Sequence, residues 1–149
     1  AGKEYFMEDD TIKLLRECNA GIKMGVTSLD EVLEHVKDEK LKEILKESKS
    51  THEKLGDETH SYLLKYNDEG KEPNPMAKMM SWVKTNFKLG DEESDRVVAE
   101  LITDGCNMGV KSLYRYLHQY KAADENIKQL VKKVIDVEEK LLKKMREYL

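Results

Sequence analysis

The chain has 149 residues, 39% hydrophobic and 38% charged, with two prolines, two cysteines and a net charge of −4. That length suits one domain with a core of its own. The evenly mixed charge excludes the basic face of a nucleic-acid binder, two cysteines exclude a disulfide framework, and no apolar run is long enough for a membrane span or signal peptide. The expected location is therefore cytoplasmic, with Cys18 and Cys106 as buried thiols.

Asp9 or Asp10 can cap a first helix over about 9–36. Its apolar stripe is Ile12, Leu15, Asn19, Ile22, Val26, Leu29, Leu33 and Val36, at three-four spacing. Asp38 caps a second helix, about 38–66, with a more polar stripe of Leu41, Leu45, Ser48, His52, Leu55, Thr59, Tyr62 and Tyr66. Gly56 weakens it locally by ~1 kcal/mol relative to Ala. Residues 67–75, Asn-Asp-Glu-Gly-Lys-Glu-Pro-Asn-Pro, hold one glycine and two prolines and end the pattern.

Pro75 can open a short helix over about 75–88, with Met76, Met79, Met80, Val83 and Phe87 on one side, inside a crossover of about 67–90. Asp91 caps a third helix, about 91–120, whose stripe is Ala99, Thr103, Cys106, Val110, Leu113, Leu117 and Tyr120. Asp124 caps a fourth, about 124–148, with Ile127, Leu130, Val134, Glu138, Leu141, Met145 and Tyr148 inward. No segment alternates with the two-residue period of a strand, so the expected fold is all-α.

Residues 21–29, Gly-Ile-Lys-Met-Gly-Val-Thr-Ser-Leu, return at 105–113 as Gly-Cys-Asn-Met-Gly-Val-Lys-Ser-Leu. Six of the nine positions agree, which makes the chain two related halves. Short turns make each half an antiparallel helix pair. The 67–90 connection is long enough to return along a bundle whose helices run ~42 Å, so the expected order is up-down-down-up.

That order, the repeat, the Asn19-Ala20-Gly21 and Asp104-Gly105 runs and the Met80-Ser81-Trp82-Val83-Lys84 segment resemble the ferritin-like superfamily, in particular small single-domain bacterial bundles of uncharacterised function. The resemblance covers nearly the whole chain. It implies a mid-bundle two-metal site, built from a carboxylate on each of two helices and a Glu-x-x-His pair on each of the others. Aligning the second and fourth stripes at an offset of 86 pairs His52 with Glu138 at that level. The rest of the ligand set departs from the pattern: Lys49 stands three before His52, and Leu141 three after Glu138. His52 and Glu138 then form a hydrogen-bonded polar layer, or, with Cys106, a single transition-metal site. Asp57 and His60 make a further i, i+3 pair off the stripe, and His35 and His118 fall on outer faces.

Two functions are thus expected. One is a degenerate ferritin-like bundle without cofactor, non-catalytic and acting through protein–protein contacts, with a homodimer or another protein as partner. The other is an iron- or manganese-binding oxidase or storage-type bundle. Gly21, Met24, Gly25 and Ser28, and their repeats Gly105, Met108, Gly109 and Ser112, are expected on the flanks of their helices, as a groove for the 75–88 helix.

Overall fold

A computed structural model of the chain describes residues 2–68, 70 and 93–149, with side chains from residue 6. Among these residues there are four α-helices and no strand: α1 (Gly2–Leu33), α2 (Glu39–Lys65), α3 (Ser94–Gln119) and α4 (Glu125–Met145), followed by a 3-10 turn at Arg146–Tyr148. The expected 75–88 helix, its apolar stripe and the Asp91 cap lie outside the described residues.

Two of the expected caps carry the hydrogen bonds of that role. The Asp38 carboxylate accepts from the Leu41 amide at 2.8 Å, and the Asp124 carboxylate from the Asn126 amide at 2.7 Å, each satisfying an amide that the helix leaves unpaired. Asp9 and Asp10 do not cap. α1 begins seven residues before Asp9, because Lys3 to Glu8 hold no breaker and mostly sustain a helix. Asp9 instead pairs with Lys13 one turn on, at 2.9 Å.

α1 packs along α2, and α3 along α4, as two hairpins; α1 also lies beside α3, and α2 beside α4. Hydrogen bonds at both ends join the hairpins. At one end the Asp95 carboxylate, in the first turn of α3, accepts from the Lys37 and Asp38 amides of the α1–α2 turn, at 2.7 and 3.1 Å. At the other, Asp10 and Thr11 of α1 accept from the Ala122 and Asp124 amides of the α3–α4 turn, at 3.0 and 2.8 Å. Arg16 approaches Asp68, just past α2, at 3.8 Å. α2 thus ends at the opposite end of the bundle from the start of α3.

The buried apolar residues form two clusters. One gathers Leu29, Val32, Leu41, Leu45, Val98, Ile102, Leu141 and Met145; the other Leu14, Leu15, Ile22, Leu63, Leu113, Leu130, Val131 and Val134. Each fully buried leucine among them contributes ~1.5–3 kcal/mol. The stripe of α1 is turned from the expected one. Thr11, Cys18 and Val32 are buried, whereas Ile12, Val26 and Leu33 are half-buried. The inward face runs Thr11, Leu15, Cys18, Ile22, Gly25, Leu29, Val32, Val36, with steps of four and three throughout. The expected stripe shares Leu15, Ile22, Leu29 and Val36, and its Asn19 is buried as well, but it is one residue late at Ile12, Val26 and Leu33.

α1 and α2 approach closely at Gly56, where a Cβ would stand 3.1 Å from Ile22 Cγ2. The local helix weakness expected there is the cost of that approach. No helix among the described residues is long and apolar enough to cross a membrane.

Candidate central polar site

Between the two apolar clusters lies a layer of polar side chains. His52 comes from the middle of α2, held in the helix by leucines on either side that bury the same face. Glu138 comes from the middle of α4. His52 Nε2 lies 2.9 Å from Glu138 Oε1, and the side chains are 1% and 12% exposed. His52 Nδ1 donates to the Ser48 carbonyl, one turn back, at 2.7 Å.

This geometry determines the proton inventory. A carbonyl only accepts, so Nδ1 carries a hydrogen, and the one remaining ring nitrogen faces a carboxylate. Burial disfavours the imidazolium and is the largest single influence on it. The Glu138 hydrogen bond, the Glu138 charge and the Ser48 carbonyl together outweigh burial and hold His52 above the ordinary histidine range. The pair is therefore bridged by a proton between Nε2 and Oε1, with both ring nitrogens occupied.

Cys106, buried on α3, also reaches Glu138. Burial first, then the Glu138 charge and a hydrogen bond from thiol to carboxylate, push the thiol far above its usual range. Cys18, also a free buried thiol, is pushed up by burial to about 12. Both thiols are thus held in the protonated form, which is a poor nucleophile. The order thiol–carboxylate–imidazole also keeps His52 from acting as a base on Cys106.

The layer has room because two repeat glycines face it. A Cβ on Gly25 would stand 3.1 Å from His52 Cδ2 and 3.9 Å from Glu138 Oε1; on Gly109 it would stand 3.9 Å from Glu138 Cδ. This corrects the expectation that both glycines lie on the flanks of their helices: the one-residue shift of the α1 stripe turns Gly25 inward, and its repeat Gly109 faces Glu138. Apart from the backbone of its own helix and its chain neighbours, no described atom comes within 4 Å of a Cβ built on Gly21 or Gly105, and Met108 is exposed. Any seat of the 75–88 helix against these residues lies outside the described residues. The signal for Gly25 was present in the four-three spacing from Thr11 to Val36, and was hidden because glycine is not counted as apolar.

The remaining candidates do not join this layer. Asp57 is exposed, and His60 is half-buried with its Nδ1 unpartnered. His118 is exposed, while His35 is half-buried rather than on an open face. Asn19, 1% exposed, keeps its Nδ2 unpartnered near Gly70, at the end of the bundle where α2 stops. Among the described residues no group of three or more His, Cys, Asp or Glu side chains is arranged to hold a metal ion. His52, Glu138 and Cys106 thus meet, but with their donor atoms protonated or engaged with one another. A two-metal centre does not fit this donor set.

No known family profile, curated protein or solved structure matches the chain.

Proposed function

We propose that this chain is a ferritin-like bundle whose central layer is a structural ion pair in place of a metal centre, and that it works through contacts with other proteins rather than by redox chemistry. The observation that carries this reading is the His52–Glu138 pair: both ring nitrogens of His52 are already engaged, Nδ1 with the Ser48 carbonyl and Nε2 with Glu138, and the layer adds one thiol where a two-metal centre needs further carboxylates. The up-down-down-up order is supported by the end contacts, Asp95 with the α1–α2 turn and Thr11 with the α3–α4 turn. The protein-contact reading is supported by Phe6, Met7 and Leu64, exposed where α1 begins and α2 ends. Either a second copy of the chain or another protein fits such a surface, and the buried free thiols suit a cytoplasmic setting.

Metal analysis of protein purified without chelator tests the reading. Iron and manganese are expected far below one per chain, and added ferrous iron is expected to oxidise no faster than in buffer. Near-stoichiometric iron or manganese, lost in His52→Leu, would favour the other function, a metal-binding oxidase or storage-type bundle using His52, Glu138 and Cys106.

A further inference from the structure

The two halves share more than a nine-residue repeat. Under its 84-residue offset Thr11 is equivalent to Asp95, and under the 86-residue offset of the second helices Asp38 is equivalent to Asp124. The structure gives these equivalents the same task. Asp95 accepts from the Asp38 amide, and Thr11 from the Asp124 amide, each reaching across to the other hairpin. Each aspartate then caps its own helix. Gly25 faces His52 of its own hairpin, as Gly109 faces Glu138 of its own. Leu41 and Ile127 are buried equivalents, and so are Leu45 and Val131.

Each hairpin therefore presents nearly the same docking face. A hairpin meeting the same hairpin of another copy would find apolar stripes, glycines and capping groups in matching places. The equivalence also fails at buried positions such as Thr59 against Met145 and Cys18 against Ile102, but His52 against Glu138 is the exchange that sets a basic group against an acidic one. Like paired with like would set two histidines together, or two carboxylates, which cannot both stay ionised at one buried site. Specificity of this kind arises by penalising the wrong partner.

We propose that the His52–Glu138 pair is a pairing key: it makes an α1–α2 hairpin close on an α3–α4 hairpin and refuse a second α1–α2 hairpin. It thereby keeps the chain folded on itself instead of joined to another copy through matching halves. This stands independently of the functional reading above.

The test uses two full-length variants, His52→Glu and Glu138→His. In the first, every pairing available brings two carboxylates together; in the second, every pairing brings two histidines together. Mixed, each can supply what the other lacks by exchanging hairpins. Each variant is unfolded and refolded alone, and the two are refolded together in equal amounts, with native mass spectrometry and far-UV circular dichroism as readouts. Alone, each is expected to lose helical signal relative to the wild type. Together, they are expected to regain it and to form a one-to-one heterodimer, doubling the mass of the dominant species. If the mixture behaves as the sum of its parts, with no heterodimer, the key is overturned. It is equally overturned if either variant alone is a monomer with the wild-type melting temperature.

Discussion

At the scale of single residues, the His52–Glu138 pair stabilises only as a pair. Removing one partner strands a buried polar or charged group, at a cost of ~1–3 kcal/mol. Replacing both by leucine removes the desolvation cost along with the attraction, and such exchanges are often neutral or stabilising. His52→Leu and Glu138→Leu are therefore each expected to destabilise, and the double variant to recover most or all of the loss. Additive losses in a double-mutant cycle would show that the two side chains are not coupled. The pair also has a pH signature. His52 is held above its usual 6.5, so the folded state binds a proton that the unfolded state releases first. Its contribution is complete below pH 6.5 and is lost as pH rises through the folded value. Between pH 6.5 and about 7.5, below the range where unfolded cysteines ionise, the wild type is expected to lose stability relative to the leucine pair. Urea unfolding at several pH values measures the slope; parallel curves would rule out the proton bound at His52.

Among the helices, the two inward glycines of α1 and α3 are equivalent in sequence but not in their surroundings. His52 is fixed at both ring nitrogens and cannot easily yield to a Cβ at 3.1 Å, so Gly25→Ala is expected to destabilise. The same change at Gly109 meets ordinary contact at 3.9 Å, and alanine there is expected to gain up to ~1 kcal/mol of helix propensity. Thermal melts of the two variants should move in opposite directions. Helix type, the two aspartate caps and the level of the His52–Glu138 layer were all legible, because three-four periodicity and capping chemistry are local. The phase of α1 was not. Ile12, Val26 and Leu33 are apolar enough to simulate an inward stripe, and only the facing helices reveal that Thr11, Cys18 and Gly25 fill the true one. The first turns of α1 were missed for a related reason: Asp9 and Asp10 look like caps, yet nothing before them breaks the helix.

For the whole molecule, the closure of one hairpin on the other rests on few polar contacts outside the core. Asp95→Ala removes the acceptor for two turn amides, each such bond being worth ~0.5–1.5 kcal/mol net. The loss is expected to appear as a lower urea midpoint with an unchanged far-UV spectrum, and Thr11→Val should act alike from the other end. A spectrum that loses helix would mean that Asp95 supports α3 itself rather than its docking. None of these end contacts was legible in the sequence, because they join residues 57 and 113 positions apart and follow no short-range pattern. Those separations also bear on the order of folding. Each hairpin closes through a turn of a few residues and can form from local contacts, whereas the two meet only after long stretches of chain have been gathered in. His52 and Glu138 stay hydrated on separate hairpins until that meeting. Shedding their water belongs to the final docking step, so the slowest stage of folding is expected to be the drying of the middle of the molecule rather than the making of its helices.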